Sequence, residues 1–220
     1  MSEILTIALH AEGTTDYRFF KPIIQRTIED IILNSDCDIE LYPILDIHKE
    51  TGDNYCDEII KVSKKAYEAG IKCLILHCDS DAETIDNVMH NKIFPACTAV
   101  KEHADKNLMC NKLIPLIPVY MTEAWMLADI ELLKSEICAT TQTNQSLGFT
   151  RNAQSYADPK TLIKDAITIA QQDTTKRRRT FNISELYSPL GQKINLDLLK
   201  QLTSYQKFYS QLKDIALPYC

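Results

Sequence analysis

The sequence predicts an α/β fold: a four-stranded, mainly parallel sheet flanked by helices, followed by a helical C-terminal part. Three observations carry this. Short apolar runs alternate with stretches of helical period up to about residue 120, the pattern of successive βα units. Acidic residues follow the first, third and fourth apolar runs within three residues. Beyond Thr122 the spacing is helical alone. The expected division is an α/β core over 1–121 and a helical extension over 122–220, packed on the core.

Residues 4–9 read as a buried first strand. Residues 17–33 carry apolar side chains at helical spacing, from Phe20 through Ile23, Ile24 and Ile28 to Ile31 and Ile32. Residues 39–45 form the second strand. A second helix over 54–69 is closed by Gly70, because glycine takes the left-handed conformation that ends a helix. Residues 72–78 are the third strand. Residues 86–104 are broadly helical, with Pro95 marking a kink or break. Residues 113–120 are the fourth strand, and Pro115 and Pro118 place it at an edge, since proline donates nothing to a ladder. A helix over 123–134 has Thr122 in position to cap it. The polar stretch 140–158 reads as a long loop: a lid, a partner-binding loop or a disordered segment. Residues 159–172 form a helix opening on Pro159, and 195–217 close the chain with one or two helices.

The formal net charge of −6 argues against a protein that coats nucleic acid through bulk charge. A metal-dependent nuclease remains open, because a bound cation supplies positive charge locally. Eight cysteines, at 37, 56, 73, 78, 97, 110, 138 and 220, form no CxxC pair. A zinc ribbon or dithiol motif is thereby disfavoured, and a reduced, cytoplasmic setting is expected. The opening MSEILTIALHAEG lacks the basic region of a signal peptide. No apolar run approaches the roughly 20 residues that span a bilayer, so no membrane association is expected.

Glu12 follows the first strand, Asp79 and Asp81 the third, Glu123 the fourth. In an open parallel sheet these strand ends share one edge, where ligands bind. Carboxylates that meet there repel until one protonates or a cation binds. Mg²⁺ takes hard oxygen ligands, commonly one or two carboxylates plus substrate phosphates. In Asp79-Ser80-Asp81 the outer residues point the same way if the backbone is extended, and the small Ser80 and Ala82 leave room for a phosphate. Glu12 is a candidate metal ligand or general acid/base. The plainer readings are an aspartate that caps the next helix and a Glu123 that complements a helix dipole.

Gly13 permits a positive φ and close approach by a phosphate, or marks an ordinary tight turn, with Thr14 and Thr15 capping the helix that follows. Lys176-Arg177-Arg178-Arg179 is the one dense basic run, a phosphate contact or a solvated segment. Lys160 and Arg151 are weaker versions of the same idea. Trp125 offers a stacking surface for a base, although core packing is the favoured reading. His77 reads as a hydrogen-bonded core histidine, and His10 stands two residues before Glu12 without ligand spacing.

Glu12-Gly13-Thr14-Thr15-Asp16 after an apolar strand resembles the first motif of Toprim domains. The run ending Asp79-Ser80-Asp81 resembles their second, an apolar strand closed by DxD. Such domains occur in topoisomerases, bacterial primases, small ribonucleases and the overcoming-lysogenization-defect nucleases. The resemblance implies a Toprim core, Rossmann-like in arrangement, with Mg²⁺ (or Mn²⁺) on the DxD pair and the glutamate as ligand or acid/base. A narrower resemblance covers nearly the whole chain. Glu12-Gly13-Thr14-Thr15-Asp16, Asp79-Ser80-Asp81, the stretch from Glu123 and Trp125 to Asp129, and Asp158-Pro159-Lys160 are similar to the DUF4276 group, as is the closing stretch with Ser204 and Phe208. That resemblance implies Glu12, Asp79 and Asp81 as catalytic acids and Glu123 and Asp129 as further site residues. It also implies an AAA- or ABC-type ATPase partner in a phage-defence or mobile-element setting.

The expected activity is Mg²⁺-dependent phosphodiester hydrolysis on DNA or RNA. In that reading Glu12, Asp79, Asp81 and Glu123 serve the metal, and Gly13, Lys160, Arg177 and Arg178 meet the substrate. The alternative is a non-catalytic subunit of the same fold that binds nucleic acid or an ATPase. A haloacid-dehalogenase-like phosphatase ranks last. Its DxD motif stands on the first strand and is followed by Gly or Thr, whereas Ala82 follows here.

Overall fold

The computed structural model describes residues 3–35, 38–172 and 181–216. The four expected strands are present, two of them interrupted. The first divides into β1 (Glu3–Leu5) and β2 (Ile7–His10), the second into β3 (Ile39–Leu41) and β4 (Leu45–Asp46). The break at Thr6 has a local cause. Its carbonyl accepts from the Lys72 and Cys73 amides, and its hydroxyl donates to the Gly70 carbonyl. The third and fourth strands are β5 (Cys73–His77) and β6 (Leu113–Leu116).

The four-stranded sheet runs β4-β2-β5-β6, all parallel, and β1-β3 extend its first pair. β6 lies at the edge, where Pro115 costs no ladder bond. The order places the topological switch point between β2 and β5, so their C-terminal ends frame the crevice where an α/β sheet takes ligands.

Between these strands lie α1 (Thr14–Leu33) and α2 (Tyr55–Glu68), the latter ended by Gly70 at φ +71°. The expected helix over 86–104 is instead α3 (Asp86–Val88), a π-helical turn (Met89–Ile93) and α4 (Phe94–Glu102). Pro95 is the second residue of α4, and the π-helical turn comes directly before it, so the irregularity falls where the proline removes a ladder N–H. The C-terminal part contributes α5 (Glu123–Met126), α6 (Ile130–Glu136), α7 (Pro159–Gln172), α8 (Tyr187–Lys193), α9 (Leu196–Leu199) and α10 (Thr203–Ala216).

Alternation along the strands divides the core. Ile7, Leu9, Cys73 and Ile75 face α1 and the C-terminal helices. Ala8, Leu74 and Leu76 face α2 and α4. The first cluster runs without interruption from Leu5 to Ala216, so the helices after residue 122 share one core with α1. Trp125 is buried there against Phe20, Tyr205 and Phe208, and its Nε1–H donates to Ser204 Oγ at 2.8 Å. Packing, not base stacking, is its role. The stretch 140–158 is tied to the same core by Leu147, Phe149, Ala153 and Tyr156. Among the described residues, no helix is long and apolar enough to cross a membrane.

Candidate acidic site at the switch point

From β2 the chain passes Ala11 and Glu12 to Gly13, which caps α1. Gly13 is extended (φ −125°, ψ 154°), not in the positive-φ region that the sequence allowed. A Cβ there would lie 2.9 Å from Asp16 Oδ2, the atom to which the Gly13 N–H donates at 3.0 Å. That amide is therefore spent within the chain, and Asp16, rather than Thr14 or Thr15, completes the cap.

From β5 the chain passes His77 and Cys78 to Asp79. Asp79 Oδ1 accepts from the Thr122 N–H at 2.9 Å, with the Thr122 hydroxyl at 3.3 Å. The same hydroxyl donates to Asp16 Oδ1 at 2.9 Å, so one threonine joins two carboxylates. This replaces the capping role expected of Thr122, whose own backbone is already helical. His77 lies beneath them, buried against Phe20, with Nε2 at 3.8 Å from both Asp16 Oδ2 and Asp79 Oδ1. Its Nδ1 faces the Leu116 carbonyl at 3.1 Å. A carbonyl only accepts, so Nδ1 carries the proton. Burial holds the imidazole below its ordinary value, against the pull of Asp16.

Glu123, the first residue of α5, is 2% exposed. Its Oε1 accepts from the Tyr187 hydroxyl on α8 and pairs with Lys160 Nζ at 3.3 Å. Burial, then the charges of Asp16 and Glu123, push the Asp79 carboxyl up to about 7, against the Thr122 amide and with a smaller push from Glu12. Glu12 is exposed at the rim and bonded to Lys92 of the π-helical turn.

Asp81 does not continue an extended strand. It adopts φ +49°, is exposed, and donates its N–H to the Tyr120 carbonyl at 2.9 Å. Ser80 is buried, its hydroxyl donating to the Ala82 carbonyl at 2.8 Å and accepting from the Tyr120 N–H at 2.7 Å. The DxD segment is thus a tight turn pinned to the loop after β6, not an open seat for a phosphate. Among the described residues, no group of three or more His, Cys, Asp or Glu side chains is placed to hold a metal ion.

The structure therefore joins Asp79 and Glu123 with Asp16, His77, Thr122, Lys160 and Tyr187, and sets Glu12 and Lys92 at the rim. Asp16 was visible as the last residue of the first motif. Tyr187 and Lys92 had no sequence signal. Asp129 is structural: its Oδ1 caps α6 through the Leu132 N–H and its Oδ2 accepts from the Asn195 N–H. Asp158 caps α7 through Thr161. The Arg151 guanidinium lies over the Tyr156 ring. Arg177 and Arg178 lie outside the described residues.

No curated protein matches the chain, and no solved structure does. A family model described as "Domain of unknown function (DUF4276)" matches residues 11–213, a span that opens at the end of β2 and takes in every carboxylate of the acidic site. The chain belongs to the DUF4276 family.

Proposed function

We propose that the chain is a Mg²⁺-dependent phosphodiester hydrolase of Toprim type acting on nucleic acid, with Mn²⁺ as an alternative cation. The observation that supports it is the meeting of carboxylates from three strand ends at the switch point: Asp16 after β2, Asp79 after β5 and Glu123 after β6. Such a meeting is unfavourable until a proton or cation offsets it.

The donor set fits a hard cation, being carboxylate oxygen throughout. Among the described residues, the internal bonds of Asp79 reach Oδ1 and those of Glu123 reach Oε1. Asp79 and Glu123 are the residues that would hold Mg²⁺. A cage of three side chains is not required, because Mg²⁺ keeps several waters and uses substrate phosphates. When bound, the cation supplies polarisation of a phosphoryl oxygen and activation of water. The chain's own residues do the positioning. Thr122 fixes Asp79, Tyr187 and Lys160 fix Glu123, and Glu12 stands exposed at the rim to accept a proton. An AAA- or ABC-type ATPase partner in a phage-defence or mobile-element setting belongs to the same proposal, as does a cytoplasmic location.

A second reading has its own observation. Asp16, Asp79, Glu123 and Glu12 are each bonded to a donor of this chain, a network that also suits a non-catalytic subunit binding nucleic acid or an ATPase. An assay on plasmid, single-stranded DNA and RNA with Mg²⁺ or Mn²⁺ separates the two. Cleavage by the wild type, lost in Asp79→Asn, is expected. No cleavage of any substrate with either cation would sink the hydrolase reading and leave the binding subunit.

A further inference from the structure

The three carboxylates of the acidic site have unequal partners. Asp16 accepts from the Gly13 N–H and the Thr122 hydroxyl, and Asp79 accepts from the amide and hydroxyl of the same threonine. These donors are neutral. His77, at 3.8 Å from both, is held below its ordinary value by burial. Glu123 accepts from the Tyr187 hydroxyl and pairs with Lys160 Nζ at 3.3 Å. Among the described residues, Lys160 is the one permanent cation paired with this cluster.

The pair is asymmetric. The Glu123 side chain is 3% exposed and that of Lys160 47%, so the ammonium meets a buried carboxylate from the solvent side. Its hold is also loose. At 3.3 Å the contact is longer than the roughly 2.7–2.9 Å of a charge-assisted hydrogen bond. Among the described residues Lys160 makes no other hydrogen bond or ion pair. Its stem leaves the second position of α7, and a four-carbon stem moves a point charge without moving the helix. Glu123 does not depend on it for its place, because the Tyr187 hydroxyl holds the same carboxylate from α8.

An ammonium and a divalent cation drawn to one carboxylate repel each other, and more strongly where burial lowers the dielectric. A Glu123 that serves a cation therefore has to release Lys160. The released ammonium keeps all three of its donors and stays tethered beside the site, where a phosphate is the complementary charge. We propose that Lys160 is the exchangeable counter-ion of the acidic site: it neutralises Glu123, yields that carboxylate to a divalent cation, and then donates to a phosphate oxygen of the substrate. This rests on the cation-dependent reading above and adds an order to it, cation first and strand second.

Calorimetry with Mn²⁺ alone reads the first step. Lys160→Met should bind Mn²⁺ at least about fivefold more tightly than the wild type, an ordinary coupling between two ligands of one site. Lys160→Arg keeps the charge and should stay within about twofold of the wild type. So should Lys164→Met, to within about twofold, since it removes a charge from the same helix without an ion pair to Glu123. Acetylation of Lys160 by an activated ester, followed by mass spectrometry, should quicken when Mn²⁺ is added to the wild type. Thymidine 5′-monophosphate, which offers a phosphate but no phosphodiester to cut, reads the second step. In saturating Mn²⁺ its affinity for Lys160→Met should fall about tenfold, the loss of one charged hydrogen bond. Tighter metal and weaker phosphate in one variant form a signature that a lysine needed only to shape Glu123 does not give, because its loss would weaken both. Unchanged or weakened Mn²⁺ binding in Lys160→Met overturns the counter-ion role, and unchanged monophosphate binding overturns the transfer to phosphate. No Mn²⁺ binding by either protein overturns the proposal together with the metal reading. Cleavage that depends on Asp79, with Mn²⁺ affinity unmoved by Lys160→Met, sinks this proposal alone. The two opposite shifts without any cleavage sink the hydrolase reading alone.

Discussion

A carboxyl that ionises near neutrality makes the folded chain respond to pH where most carboxylates are silent. Asp79 is raised from 3.8 to about 7. The folded state therefore holds this proton more tightly than the unfolded state does. Its contribution to stability is fully present below about pH 4 and is lost as pH rises through about 7. Asp79→Asn keeps the shape and the acceptor for Thr122 while removing the charge. Without metal, the variant should melt above the wild type at pH 8 by roughly 2–4 °C, the shift that about 1 kcal/mol produces in a chain of this size. The gap should close towards pH 4, and parallel melting curves would contradict the assignment. The wild type's Mn²⁺ affinity should rise as pH passes about 7, since the ligand must lose its proton, and calorimetry across that range checks it. Glu12, Asp79 and Glu123 were legible in the sequence because parallel strands bring their C-terminal ends to one edge. Asp16 was half legible: its motif was visible, but a residue that caps a helix and joins the site was not separable from a cap. Tyr187 was not legible at all. It meets Glu123 across 64 residues, and only the burial of Glu123 reveals that a donor is required.

Among the elements, α8 packs tightly on α1 at Gly191. A Cβ at Gly191 would stand 2.3 Å from the Phe19 carbonyl oxygen, a backbone atom that cannot swing aside. Gly191→Ala should therefore destabilise the chain by roughly 1–3 kcal/mol, the cost of overpacking a filled core. Urea denaturation measures it, and a loss below about 0.5 kcal/mol would mean that the helices part freely. The edge position of β6 was legible from its prolines. The π-helical turn was not, because an inserted residue rotates everything after it, and a regular helical wheel then misplaces Lys92. The packing of 140–158 was hidden for a different reason. Leu147, Phe149, Ala153 and Tyr156 follow no period, and each fills a space made by distant helices.

For the whole molecule, the shared core determines what can be removed. Residues 1–121 end before Glu123, Trp125 and the helices that cover α1 on its C-terminal side. A fragment of those residues should expose the apolar face of α1 carrying Phe19, Ile23 and Ile31, bind a hydrophobic dye and unfold without a cooperative transition. A sharp calorimetric transition in the fragment would show instead that the α/β layer is self-sufficient. The Tyr187–Glu123 bond has a further meaning on the ribosome, where the chain emerges from its N-terminus onwards. The carboxylates after β2 and β5 are synthesised early, but the hydroxyl that holds Glu123 arrives only when most of the chain has been translated. The acidic site is thus completed late, and an incomplete nascent chain carries its carboxylates without the hydroxyl that holds Glu123.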